Sequence, residues 1–292
     1  MQTDQGLVFI NGEITSPQQA KISVFDRGFL FGDSVYEVTR SYNGTLAFID
    51  EHLDRLTRSA EQIALSIPYS KVELKQLIEE LMIKISSKDN YVRIILTRGE
   101  GKIGLDPGNA GKANLIIIMS ALPKNPEWWY REGVKFIIST VMRNDPKSLD
   151  PNIKSGNYLN NVLAMIEAKK QDAFDAFMLN RSGLVTEGTT NNVWIVKNKK
   201  ITTPPLSDGI LAGITRTTLL SLLKESDLKF EEESISVERL KDADEVFITS
   251  STKEVVPVTQ IDGTNVGAGK PGEIFQEVRK IYSAYIQRTY YS

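Results

Sequence analysis

The chain has no cysteine, which excludes disulfides, thiolate nucleophiles and cysteine-bound metal. It has a single histidine, His52, so a multi-histidine metal centre is ruled out and a Ser-His-Asp arrangement is disfavoured. An excess of one charge is missing too: 35 Lys and Arg face 37 Asp and Glu, a net charge of -2. That balance offers no electrostatic reason for nucleic acid or an anionic membrane as a partner. No apolar run nears the roughly 20 residues that cross a bilayer. The first residues, Met1 to Gly6, lack the basic-then-apolar order of a secretory signal. No internal repeat or low-complexity tract is present. The expectation from these absences is a soluble cytoplasmic protein.

What is present is ordinary in bulk and particular in detail. Hydrophobic residues make up 41% and charged residues 25% of 292, enough for one large domain or two modest ones. Leu7–Ile10 reads as a strand ending at Asn11-Gly12. Lys21–Phe25 and Val35–Arg40 alternate polar with apolar, and Asn43-Gly44 turns into a strand at Leu46–Ile49. Asp26-Arg27-Gly28-Phe29-Leu30-Phe31-Gly32-Asp33 reads as a tight irregular loop. Helical spacing follows at Glu51–Ile63. A second helix opens on a capping box, Ser70 with Glu73, and carries an apolar stripe through Leu74, Ile78 and Leu81.

Strands are expected at Tyr91–Thr97 and Leu115–Met119, on either side of a glycine-rich loop from Arg98 to Pro107. Residues 121–133, with Pro123, Pro126 and Trp128-Trp129-Tyr130, read as a linker. Domains are therefore expected at 1–120 and 134–292. Beyond the linker come strands at Phe136–Val141, Ala176–Leu179, Val193–Val196 and Glu245–Ser250. Helices are expected at Asn157–Lys170, after Gly213 and from Gly272. Strands and helices mix without a βαβ rhythm, which predicts an α+β fold built as two α/β domains.

Chemistry concentrates between Ile153 and Glu187. Most lysines are solvated surface charges, and Lys154 alone would be read so. Its company is different: Ser155-Gly156-Asn157 is a tight entry to a helix, with Tyr158-Leu159-Asn160-Asn161 at once behind it. A lysine amine can form a Schiff base with a carbonyl cofactor where its surroundings favour the neutral amine. Glu187, in Thr186-Glu187-Gly188, is by itself a surface or turn residue. Its functional reading is a carboxylate that keeps a pyridine nitrogen protonated. Gly213-Ile214-Thr215-Arg216 opens an apolar helix. Its first N–H groups could simply be capped, or could receive a phosphate. Arg55, in His52-Leu53-Asp54-Arg55, could hold phosphate through both guanidinium arms, while His52 itself reads as structural. Arg93 interrupts Tyr91-Val92-Arg93-Ile94, as an exposed edge residue or as a carboxylate binder.

Taken together these motifs resemble the class IV, or fold-type IV, pyridoxal-phosphate transaminases. This family includes branched-chain, D-amino acid and (R)-amine aminotransferases and aminodeoxychorismate lyase. The resemblance runs in family order through Asp26–Asp33, His52–Arg55, Lys154–Asn161, Glu187–Val193, Gly213–Arg216 and Ser250–Val258. It implies pyridoxal 5'-phosphate bound at Lys154, which also moves a proton. Glu187 would meet the pyridine nitrogen and Tyr158 the phenolic oxygen, with Leu211 packed on the ring. Arg55, Ile214, Thr215 and Ser251 would hold the phosphate. Tyr36, Arg40, Tyr91, Arg93, Arg98 and Thr252 would form the substrate side.

A homodimer or higher homo-oligomer is implied as well, acting on small amino acids and 2-oxo acids, with 134–292 as the cofactor-binding domain. Lys154–Asn161, Tyr91-x-Arg93 and Gly104-Leu105-Asp106-Pro107 look like branched-chain enzymes. Val35-Tyr36-Glu37-Val38 looks like the D-amino acid group, and Glu187-Gly188-Thr189-Thr190-Asn191-Asn192 departs from the usual branched-chain Ser-Gly-Glu-Asn. The expected reaction is a transamination of branched-chain L-amino acids with 2-oxoglutarate. D-amino acid or (R)-amine transamination is the alternative. A lyase, or a binding protein without turnover, is less favoured.

Overall fold

A computed structural model describes residues 6–291. They form two compact units. One is the described part of Met1–Pro123 with Ile153–Asn157 and Tyr291, and the other is Lys124–Asn152 with Tyr158–Tyr290. The segment that carries Lys154 thus groups with the first unit, whereas the sequence places it beyond the linker.

The first unit carries β1 (Gly6–Ile10), β2 (Glu13–Thr15), α1 (Arg27–Phe31), β3 (Ser34–Tyr42), β4 (Thr45–Leu46), α2 (Ile49–Gln62), α3 (Lys71–Ile83), β5 (Asn90–Thr97) and β6 (Asn114–Ala121). Its sheet runs β2-β1-β6-β5-β3-β4, antiparallel throughout. One sheet face is apolar because the strands alternate. Val35, Val92, Ile94, Leu96 and Ile117 bury against Leu53 and Leu56 of α2 and Ile78 of α3. The capping box forms as expected, with the Ser70 hydroxyl accepting from Glu73 N and the Glu73 carboxylate accepting from Ser70 N.

Three local expectations fail here. Lys21–Phe25 is not a strand: Ile22, Val24 and Phe25 stay exposed, no neighbour among the described residues offers a ladder, and the Ser23 hydroxyl accepts from Phe25 N within a turn. Asp26–Asp33 is not an irregular loop. Asp26 caps α1 by accepting from Gly28 N, and Gly32 ends it at φ 67°, the left-handed region that glycine enters freely. Leu46–Ile49 is a strand only as far as Leu46, before α2 begins at Ile49.

The second unit carries α4 (Glu127–Glu132), β7 (Val134–Ile138), α5 (Pro146–Leu149), α6 (Leu159–Lys170), β8 (Asp175–Leu179), β9 (Leu184–Gly188), β10 (Asn192–Lys197), β11 (Lys200–Thr203), α7 (Ile214–Lys224), β12 (Lys229–Glu232), β13 (Ile235–Ser236), α8 (Val237–Lys241), β14 (Glu245–Ser250), β15 (Glu254–Ile261), β16 (Thr264–Asn265) and α9 (Glu273–Tyr290). Residues 127–132 of the expected linker are therefore helical. Trp129 packs edge-on against Phe174 at 5.0 Å, so the aromatic cluster anchors this stretch to the unit.

The sheet order is β12-β11-β10-β14-β15-β7-β8-β9-β13, and β9 also meets β10. Six strands therefore return on themselves, and the closing pair is Glu187 opposite Asn192. Ala164 and Ala168 of α6 bury against Ile137, Ala176 and Met178, small residues that let helix and sheet approach closely. Among the described residues no helix is long and apolar enough to cross a membrane.

Candidate active site

In the first unit, Ile153–Asn157 lies along the start of β3. Tyr36 N donates to Lys154 O at 2.9 Å, Gly156 N to Ser34 O at 2.9 Å, and Ser155 bridges Val35. The Asn157 amide donates to Gly32 O at 2.9 Å. The Ser155-Gly156-Asn157 turn is thereby fixed from both ends. It delivers the half-buried Lys154, whose Nζ stands 4.6 Å from the centre of the Tyr36 ring. Arg93 lies over the same ring, its guanidinium carbon 4.1 Å from the centre. Its Nη1 also donates, at 3.5 Å, to the hydroxyl of Tyr91.

Tyr36 and Glu37 are consecutive on a strand, so they point to opposite faces. Glu37 turns toward α2 and is fully buried. It accepts from Arg55 Nε at 2.6 Å and Arg55 Nη2 at 2.8 Å, and pairs with His52 Nδ1 at 2.7 Å. Burial alone would raise the Glu37 pKa. The Arg55 charge and hydrogen bonds, helped by His52, outweigh that and hold it far below the usual carboxylate range. Burial pushes the His52 pKa down, against the pull of Glu37, so the imidazole is neutral at pH 7.

Two other expected substrate residues are engaged within the unit. Arg98 donates through Nε to Asp33 (2.7 Å), through Nη1 to Ala64 O (2.8 Å) and through Nη2 to Ile63 O (2.6 Å). That set fastens the loop after β5 to the end of α2. Arg40 is buried, stacked 4.1 Å over Tyr42.

The second unit gathers Tyr158, Glu187, Leu211, Ile214, Thr215, Ser251 and Thr252. Glu187, at the seam of the closed sheet, is 4% exposed. Its Oε1 accepts from Arg143 Nε at 2.8 Å. Its Oε2 accepts from Asn192 Nδ2 at 3.2 Å and Leu211 N at 3.1 Å. Asn192 donates also to Leu211 O at 3.0 Å, so one amide joins the carboxylate to the turn before α7. A Cβ on Gly213 would stand 1.9 Å from Asn192 Oδ1, which leaves room for no side chain.

Gly213 has no side chain with which to cap α7. The N–H groups of the buried Ile214 and Thr215 have no acceptor among the described residues. Buried N–H groups at a helix start call for an anion, and the Glu187 carboxylate is hydrogen-bonded to Leu211 N, three residues before that helix. Tyr158 stands at the N-cap position of α6. Ser251 and Thr252 are half-buried in the turn between β14 and β15, and Thr252 O accepts from the Asn125 amide at 3.4 Å.

Arg143 is the residue that the sequence does not reveal. It follows β7 outside any motif, and only the fold carries it to Glu187. Asn192 sits inside the Glu187–Val193 stretch, but its bonds to both Glu187 and Leu211 depend on the closure of the sheet. Among the described residues no cluster of acidic or histidine side chains could hold a metal ion.

The family described as amino-transferase class IV matches residues 34–261. A Methanocaldococcus jannaschii protein provisionally named a branched-chain-amino-acid aminotransferase is 39% identical over 273 residues, 94% of each chain. The D-alanine aminotransferase of Bacillus licheniformis is also 39% identical, over 93% of this chain and 94% of that one. The solved structure of the T.th. branched-chain amino acid aminotransferase with pyridoxamine 5'-phosphate superimposes with a TM-score of 0.92 at 28% identity. The match covers 98% of this chain and 95% of that one.

Proposed function

The chain belongs to the class IV aminotransferases, and from that premise we propose that it is a pyridoxal 5'-phosphate enzyme exchanging amino groups between branched-chain L-amino acids and 2-oxoglutarate. The observation that carries the cofactor reading is the group around Glu187. An anionic carboxylate is joined through Asn192 and Leu211 to a buried helix start whose N–H groups await an anion. That donor set fits a ring with a basic nitrogen at one end and a phosphate at the other.

When bound, the cofactor takes up the amino group and disperses the electron pair left at the substrate Cα. The protein's part is positional and acid–base. Lys154 Nζ anchors the cofactor and carries the proton that leaves Cα. Glu187 holds the ring nitrogen protonated, and Tyr158 donates to the ring's phenolic oxygen. Arg55, the Ile214 and Thr215 N–H groups and Ser251 would hold the phosphate, with Leu211 beside the ring. Tyr36, Arg40, Tyr91, Arg93 and Thr252 receive the substrate.

Arg93 is the carboxylate partner that this reading selects, held over Tyr36 and next to Tyr91. Arg98 serves instead as a loop fastener, since all three of its donor nitrogens are engaged. The working form is a homodimer or higher homo-oligomer. A second reading, D-amino acid transamination, is favoured by the 39% identity to the Bacillus licheniformis D-alanine aminotransferase and by Val38 following Glu37.

The test begins with purified protein and cofactor. Borohydride reduction should leave the modification on the peptide containing Lys154, and Lys154→Ala should lose it. L- and D-amino acids with 2-oxoglutarate are then scored by glutamate formed. Leucine, isoleucine and valine in the L series should lead. Protein that stays colourless with cofactor refutes the cofactor reading, and turnover confined to D-amino acids refutes the substrate.

A further inference from the structure

Arg143 contacts the proposed cofactor carboxylate without belonging to any assigned set of site residues. Both side chains are nearly buried, at 5% and 6% exposure, with Arg143 Nε 2.8 Å from Glu187 Oε1. The guanidinium is fixed in turn. Its Nη1 reaches Asn161 Oδ1 at 3.4 Å, the Asn161 amide donates to Thr189 O at 2.7 Å, and Arg143 N donates to Leu179 O at 2.8 Å. Of the three donors named around Glu187, Asn192 and Leu211 N are neutral amides, and only Arg143 is charged.

A carboxyl group taken out of water favours its neutral form unless a cation offsets the loss. If such a group shares a proton with an aromatic nitrogen, burial alone would settle the proton on the carboxyl oxygen. The reaction needs it on the ring. We propose that Arg143 is a positioning residue that, acting through Glu187, keeps the shared proton on the cofactor's pyridine nitrogen. This rests on the reading of Glu187 given above. The step is one proton passing from carboxyl oxygen to ring nitrogen, and the Arg143 charge makes the carboxylate the weaker base of the two.

The experiment uses holoenzyme loaded with pyridoxal 5'-phosphate labelled with 15N in the ring, and reads the nitrogen's chemical shift. In the natural protein it should lie in the protonated range. In Glu187→Gln it should move to the neutral range. Arg143→Met should move it most of the same way, and Arg143→Lys should restore it. The kcat of Arg143→Met should fall about 10- to 100-fold, the size of one hydrogen bond to a charged group. KM for the 2-oxo acid should stay within about twofold.

An Arg143→Met shift equal to that of the natural protein, with Glu187→Gln moved, overturns the role of Arg143 and leaves Glu187 standing. An unmoved shift in Glu187→Gln overturns the reading of Glu187 itself. If Arg143→Met does not fold, Asn161→Ala, which releases the guanidinium, should give an intermediate shift. An unchanged shift there overturns the proposal.

Discussion

Replacing Glu37 by alanine would leave Arg55 charged, 5% exposed and without its carboxylate. Three contacts vanish together, two from Arg55 at 2.6 and 2.8 Å and one from His52 at 2.7 Å. Breaking one partner of a buried pair costs about 3–5 kcal/mol, because the surviving charge keeps its desolvation penalty. At about 2–4 °C per kcal/mol this lowers Tm by about 6–20 °C. Glu37→Gln keeps the volume and one acceptor, and should fall between the two.

The pH dependence follows from both groups. The folded-state pKa of Glu37 is depressed, so its contribution is whole above the unfolded value of about 4.3 and is lost as pH falls below it. The His52 pKa is also depressed in the folded state. Its unfolded form binds a proton first, so stability declines as pH drops below about 6.5. Both slopes have the same sign: stability rises with pH through the acid range. Thermal melts from about pH 2 to 8, which run well below the unfolded value of Glu37 and span that of His52, are the assay. The natural protein should lose Tm toward acid, and Glu37→Gln should show a shallower acid limb. A Glu37→Ala variant within about 2 °C of the natural protein (about 1 kcal/mol or less), or an acid limb unchanged in Glu37→Gln, would refute the reasoning.

Other consequences are as direct. Gly213→Ala would drive a methyl group into Asn192 Oδ1. It should cost about 1–3 kcal/mol in a chemical melt, and equilibrium dialysis should show weaker cofactor binding. Ser70→Ala removes the capping box of α3 and should lower stability by about 1 kcal/mol, while kcat stays at the level of the natural protein. Arg93→Met should raise KM for 2-oxoglutarate by about 10- to 100-fold, measured beside a monocarboxylic 2-oxo acid whose KM changes less. Arg98→Met should instead appear in the melting curve, since its three bonds fasten main chain and Asp33.

The elements that sequence reading locates are those whose signal is local. The capping box at Ser70, the apolar stripe of α3 and the alternation of β5 each depend on residues a few places apart, and each is present; β3 forms where expected, though it is buried on both faces. Lys21–Phe25 shows the limit. Its alternation is as clean as that of β3, but alternation specifies a strand only where a neighbour supplies hydrogen bonds and a surface to bury. The turn at Ser23 and the cap at Asp26 decide otherwise. The short pieces β11, β12 and β13 are illegible because so few residues carry no period.

The site divides in the same way. Lys154, Glu187 and Gly213–Thr215 stand in compact motifs. Arg143 is 44 residues from Glu187 and is brought to it only when β7, β8 and β9 assemble. The role of Arg98 is equally hidden, since its acceptors Ile63 and Ala64 become neighbours only when the end of α2 reaches the loop after β5.

The seam of the second sheet is one residue pair wide, Glu187 against Asn192. Of the two side chains in that pair, one is the acid proposed for the heterocycle and the other ties this acid to the start of α7. Closure of the sheet therefore also brings the two side chains together. A ligand seated there would bind only molecules whose last strand contact has formed, so by mass action the proposed cofactor would also latch the fold.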